Sequence, residues 1–225
     1  MADGFAASRG ILDETDWRGF ENWDDIAKGW PPLDSAVRLR GLASDNLPLV
    51  EAGLWHLMHD LVAEHPNVHP ATAPAVRYVA ALLTEPLPDV VLKSSSDSRL
   101  LPLRAHLLAW LEAALRSVND ASVRHFVELA GFSPIEHPDS PWHAVRQVRP
   151  QVFDAVGPVL DALDPVVRRS ALAVAVMLVQ DAGLEDHRER VAAGSSRLPF
   201  GSAGTDRSSD RWCSCFDRRR CWSTE

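Results

Sequence analysis

Between Leu33 and about Arg190, apolar residues recur in steps of three and four, the period of helices that bury one face. A short helix is predicted over Asp34–Ala43, with Val37 and Leu42 inward. A second runs from Asn46 to Glu64, with Pro48 in its first turn and a stripe of Leu47, Val50, Leu54, Leu57, Met58 and Leu61. The prolines of His65-Pro66-Asn67-Val68-His69-Pro70 end it in a loop. A third helix spans Thr72–Leu83, with Thr72 as its cap and Val76, Val79, Ala80 and Leu83 on one side. After the polar stretch Lys93–Ser98, where Asp97 or Ser98 can cap, the cleanest repeat begins: Leu100, Leu103, Leu107, Leu111, Ala114 and Val118, within Arg99–Asn119. Asp120 opens another helix, which Gly131 ends, and a proline-rich bend covers Ser133–Pro141. Two more helices, about Trp142–Leu163 (kinked or split at Pro150 and Pro158) and Val166–Asp181, complete the series. Every periodic segment has helical spacing, so no sheet is predicted. The expected core includes Leu54, Met58, Val79, Leu107, Leu111, Val174 and Leu178.

The last of these helices has the most specific opening. Asp164 caps, Pro165 sits where a missing N–H costs nothing, and Val166-Val167-Arg168-Arg169-Ser170-Ala171 leads into the apolar run Leu172–Val179. Ala171 to Val179 is apolar on every side, which predicts a helix buried all round; nine residues are too few to span a bilayer. Acidic or Asn-Asp openings stand at Asp45, Glu85, Asp120 and Asp164, at intervals of 40, 35 and 44 residues. Two-helix repeats have periods of roughly 40–47 residues. The Asp164 segment resembles the second helix of a HEAT repeat, and His65–Val76 resembles a helix-loop-helix junction of bacterial HEAT-like proteins of undefined role. The resemblance covers roughly Leu33–Asp181. It implies an all-α fold, an α-α superhelix of antiparallel helix pairs of the HEAT/armadillo solenoid type, with a concave face that binds other molecules. It implies no site residue and no cofactor. Glu85-Pro86-Leu87-Pro88 is a poor copy of the opening, and a non-repetitive helical bundle is the competing arrangement.

Composition divides the chain. Residues 1–32 carry Trp17, Phe20, Trp23 and Trp30 at wide spacing before Pro31-Pro32, the pattern of a segment that covers the end of a helical stack. Residues 33–191 form the repeat domain. Residues 192–225 lose helical periodicity and are expected to be disordered, with six Arg against four acidic residues from Gly194 onward. That tail is +2 in a chain of −8, which leaves −10 on the rest and argues against a nucleic-acid-binding face. The three cysteines, Cys213, Cys215 and Cys221, lie in the tail, so the body has no disulfide framework. Met1–Gly10 has neither a basic start nor an apolar core; no leader and no membrane segment are expected, and the cytoplasm is the expected compartment.

Candidate chemistry is sparse. His56, His59 and Asp60 stand at i, i+3 and i+4, a spacing at which two imidazoles and a carboxylate can approach one metal. Beside the core stripe they read as solvated helix residues. His65 and His69 flank a Pro-Asn turn. Cys213-Ser214-Cys215 lacks paired CxxC spacing, no GxSxG or HExxH is present, and the 12 glycines form no phosphate loop. Arg168-Arg169 could bind an anion, although in HEAT-like helices such an Arg meets an Asp of a neighbouring repeat. No catalytic, cofactor or metal site is assigned.

The expected function is a protein-binding scaffold or adaptor, including an immunity-type inhibitor, that takes another protein or peptide along the inner helices Asn46–Glu64, Arg99–Asn119 and Val166–Asp181. The alternative is a HEAT-like enzyme resembling the alkylpurine DNA glycosylases, which would use Trp55, Trp110 and Trp142 and a groove of Arg38, Arg40, Arg77, Arg99, Arg104 and Arg116. No nucleic acid and no membrane partner are expected. A chain ending at Ala193 should fold as the full chain does, because the tail buries too little to offset the entropy of ordering. Equal melting temperatures for the two chains would agree; loss of cooperative unfolding would place the tail in the core.

Overall fold

The computed structural model describes residues 5–20, 34–61, 68–94 and 99–196. Ten α-helices and one two-stranded hairpin are formed among them, so the protein is mainly helical. In chain order the elements are α1 (Ala6–Glu14), α2 (Ser35–Arg40), α3 (Leu47–His59), α4 (Thr72–Thr84), β1 (Val91–Lys93), β2 (Leu100–Pro102), α5 (Leu103–Ser117), α6 (Asp120–Ala130), α7 (Pro141–Gln147), α8 (Arg149–Val156), α9 (Pro165–Leu178) and α10 (Arg188–Ser196). None of these helices is long and apolar enough to cross a membrane.

Two adjacent helices, α4 and α5, form the middle. α4 packs against α1 and α8, α5 packs against α3 and most extensively α9, and the two pack against each other. The sequence explains their position: nine of thirteen residues of α4 and nine of fifteen of α5 are buried, among them small alanines that let neighbours approach. Val79, Leu107, Leu111, Val174 and Leu178 are fully enclosed, as expected, whereas Leu54 and Met58 lie at the edge of this core. Enclosure forces each polar group inside to find a partner. The Tyr78 hydroxyl donates to the Leu39 carbonyl at 2.7 Å and ties α4 to α2; the Trp110 indole donates to the Leu57 carbonyl at 2.7 Å and ties α5 to α3. Burial first, then the Glu85 charge, holds the Tyr78 hydroxyl far above its ordinary range, so it stays a donor.

The two ends of α4 are also used. Thr72 is buried within the first turn, not a cap, and its hydroxyl donates to the Leu61 carbonyl at 3.3 Å. Glu85, just past the last turn, does not open a repeat. Its Oε1 accepts from the amides of Ala7 and Ser8, each at 3.0 Å, and so caps α1 from 77 and 78 residues away. Trp17 is buried beside α1, its indole donating to the Leu12 carbonyl at 3.0 Å; Trp23 and Trp30 lie outside the described residues. α2 and α3 cross at two glycines: a Cβ on Gly41 would meet the Leu49 carbonyl oxygen at 2.5 Å, and one on Gly53 would meet that of Arg38 at 2.6 Å.

Several expectations require correction. The Arg99–Asn119 helix begins only at Leu103, because Pro102 holds Leu101 extended. Leu100–Pro102 instead pairs antiparallel with Val91–Lys93 in the register Val91↔Pro102, Leu92↔Leu101 and Lys93↔Leu100. That hairpin is the exception to the expected absence of sheet, and it leaves Leu100 70% exposed. His106 pins it to α5, its Nε2–H donating to the Leu92 carbonyl at 3.2 Å. Asp97 and Ser98 lie outside the described residues. On α3 the buried side is Val50, Gly53, His56 and Leu57, so Leu47 is 43% exposed. α9 is not buried all round, since Val176 is 42% exposed; its Asp164 cap does form, accepting from the Val166 and Val167 amides at 2.7 and 3.1 Å. Trp142–Leu163 is split, as expected from Pro150 and Pro158, into α7, α8 and a 3-10 turn at Gly157–Asp161. α10 runs on to Ser196 across the expected 191/192 boundary, with Val191 buried.

Leu111→Ala should lower stability by about 2–5 kcal/mol, and Leu100→Ala by no more than about 0.5 kcal/mol. Denaturant melts of the two variants check the assigned faces.

Candidate functional site

The segment between α5 and α8 forms a cleft. Asn119 opens α6 by accepting from the Ser122 amide at 2.8 Å, and Gly131, at φ 78°, reverses the chain after it with its amide on the Val127 carbonyl at 2.8 Å. Pro134–Glu136 makes a 3-10 turn, to which the His143 Nδ1–H donates at 2.9 Å through the Ile135 carbonyl. Ser140 then opens α7 by accepting from the Trp142 amide at 3.2 Å. Trp142 is buried in a second small core with Val68, Ala73, Val118, Val123 and Val145.

Arg146, on α7, fixes this unit to the body, and Arg149, on α8, closes on the same carbonyl from the body's side. The Val118 carbonyl, at the end of α5, accepts from Arg146 Nε at 2.9 Å and from Arg149 Nη2 at 3.2 Å. Arg146 also meets Asp120 at 2.6 Å, and buried Arg149 meets Asp181 at 3.1 Å. Burial, and then the neighbouring Arg146, push the Arg149 guanidinium below its ordinary range while Asp181 and Asp120 oppose them. Burial pushes Asp181 up, but the Gly183 amide and Arg149 outweigh it and hold its carboxyl below the usual carboxylate range.

The cleft is an open surface depression with a volume of about 530 Å³. Its wall is a row of rings. Trp142 and Phe126 have centroids 5.2 Å apart, Phe126 and Phe132 are 5.4 Å apart at 80°, and Phe132 and His137 are 5.7 Å apart at 77°. Pro134, Pro138 and Pro141 add apolar surface, and Asp139 is the one formally charged side chain among the described lining residues. Phe132 is 50% exposed and Leu129, on the adjoining helix, 66%. From the sequence, Ser133–Pro141 is expected to be a bend only. A signal was present, since Phe126, Val127, Leu129, Ala130 and Phe132 crowd the end of α6 instead of keeping to one stripe.

The residues singled out from the sequence are arranged differently. His56 is not at the edge of the core but fully enclosed, its Nδ1 2.7 Å from Asp60 Oδ2 and its Nε2 2.9 Å from Ser35 Oγ. Serine, imidazole and carboxylate stand in the order of a nucleophile relay. With no exposed surface on His56 and 5% on Ser35, the three satisfy one another inside the α2–α3 contact. His59 is exposed and packs against Trp55 with ring centroids 4.7 Å apart at 31°, so the metal-spaced set is divided between core and surface. His69 Nδ1 accepts from the Ala71 amide at 3.1 Å; His65, Cys213, Cys215 and Cys221 lie outside the described residues. Among the described residues neither Arg168 nor Arg169 pairs with an acid; Arg–Asp contacts between elements are made by Arg38, Arg40, Arg146 and Arg149 instead. Of the tryptophans, Trp55 is 53% exposed and Trp110 and Trp142 are buried. Arg38 lies 3.9 Å from Asp60, Arg40 3.0 Å from Asp13, Arg104 donates to the Glu85 carbonyl and Arg116 pairs with Glu112.

Comparisons with protein-family models, with curated proteins and with solved structures returned no match.

Because the Asp181 carboxyl lies below its unfolded value of about 3.9, its contribution is fully present above that value and is lost as pH falls through the folded one. Acid titration should therefore show Asp181→Asn less stable than the parent at neutral pH, with the gap closing below about pH 4. A gap that is constant with pH would show that the charge is not what binds Arg149.

Proposed function

We propose that the protein is a binding scaffold that holds a protein partner at the α6–α7 cleft. The observation that carries this reading is the exposed apolar group of Leu129 and Phe132 beside a preformed aromatic cleft, since aromatic anchor pockets dominate protein interfaces. The HEAT-like arrangement enters as part of the same proposal. α4 lies with α1 and α8, α5 lies with α3 and α9, and the pairs α4–α5 and α8–α9 pack as neighbouring repeats of a stack would. In that stack α6 and α7 are an insertion after the α4–α5 pair. The cytoplasm suits the folded body, in which residues 1–193 contain no cysteine. No catalytic step is assigned.

The test is a partner identified by mass spectrometry on the wild-type chain and then measured with the double variant Leu129→Ser, Phe132→Ser. Both side chains are at least half exposed, so the melting temperature should hardly move while affinity falls about tenfold or more. Unchanged affinity would place the interface elsewhere. Tight binding of alkylated duplex DNA in a gel shift, or release of its bases, would replace the scaffold reading with the glycosylase-like one.

A further inference from the structure

We infer that the cleft takes an arginine side chain from a basic partner protein. This rests on the binding reading above and names the chemistry of the anchor. Three observations converge on it. Phe132 is held edge-on between Phe126 and His137 and is 50% exposed, so its open surface offers a fixed ring on which a planar cation can lie. A guanidinium is planar and weakly hydrated, and it stacks on aromatic faces more readily than a compact ammonium does. At the rim, Asp139 offers a carboxylate whose two oxygens match the guanidinium fork, and exposed Glu136 stands three residues before it.

Charge complementarity selects the same partner. No Lys or Arg is among the described lining residues, so an anionic anchor would meet no compensating charge, whereas the chain as a whole is −8 and attracts basic surfaces. The arginines of the flanking helices, Arg124 and Arg146, are not among the described lining residues. Arg146 is tied to Val118 and Asp120, and Arg124 is exposed on α6 outside the lining. A purely apolar anchor would use the rings and prolines and leave the acidic rim without a role.

The test uses the full chain and three probes: N-acetyl-arginine amide, its neutral isostere N-acetyl-citrulline amide, and N-acetyl-leucine amide. Binding is followed by saturable shifts of amide signals in NMR. The arginine probe should saturate in the millimolar range, with citrulline weaker by about tenfold. Asp139→Asn and Phe132→Ala, both changes at exposed positions, should each weaken the arginine probe and leave the spectrum of the free protein folded. Equal binding of citrulline would remove the cation from the account. Preference for leucine would overturn the arginine anchor while leaving the cleft a binding site. Arginine binding that ignores both substitutions would place the site elsewhere, and saturation by none of the probes would overturn the inference and count against the cleft itself.

Discussion

The rest of the structure depends on the enclosure of α4 and α5. A helix surrounded by others has little water to answer its donors and acceptors, so most polar groups in or beside it are answered by a neighbour, and those answers fix where the neighbours sit. Tyr78 reaches the Leu39 carbonyl, Trp110 the Leu57 carbonyl, and Glu85 the first amides of α1. At the far end of α5, the Val118 carbonyl draws in Arg146 and Arg149 together. The bonds of Tyr78 and Trp110 are worth about 0.5–1.5 kcal/mol net each and those of Glu85 and the arginines about 1.5–3 kcal/mol, and breaking one strands a buried partner and costs more. Apolar packing supplies the bulk of the stability, and these few bonds select one arrangement of the helices.

The same constraint separates structure from function. His56 shows the first: imidazole, serine and carboxylate at hydrogen-bonding distance are what a buried histidine needs, whatever relay they resemble. The α6–α7 unit shows the second. It is held to the body through Arg146 on the Val118 carbonyl, and its own small core leaves Phe132 and Leu129 outward. Apolar surface retained at a site braced by the Arg146–Asp120 pair is available for association in a way that the enclosed faces of α4 and α5 are not.

Much of the helical order was legible because helix periodicity is a local signal. Thr72–Leu83 was placed within one residue at either end, and the Asp164 cap and the Gly131 stop form where their chemistry puts them. Side-chain facing on α3 was less legible. His56 was counted with the solvated residues because its partner Ser35 is 21 residues away and periodicity carries no trace of it. The hairpin was missed because Leu100 and Leu103 continue the helical spacing of α5, while the restriction from Pro102 acts on a single residue. Glu85 was read as the opening of a repeat; only the tertiary position of α1 gives its carboxylate a different task. The cleft escaped notice for a related reason. Its rings come from α6, the following turn and α7, and only the reversal at Gly131 brings them into a row.

Hydrogen exchange resolved by residue tests the central claim most directly. If enclosure of α4 and α5 organises the fold, their amides exchange last, together with those of α9, at one common opening free energy equal to that of global unfolding. The exposed turns of α6 and the hairpin exchange earlier through local opening. Amides of α4 and α5 that exchange as fast as those of α6, or separately from each other, would contradict the account.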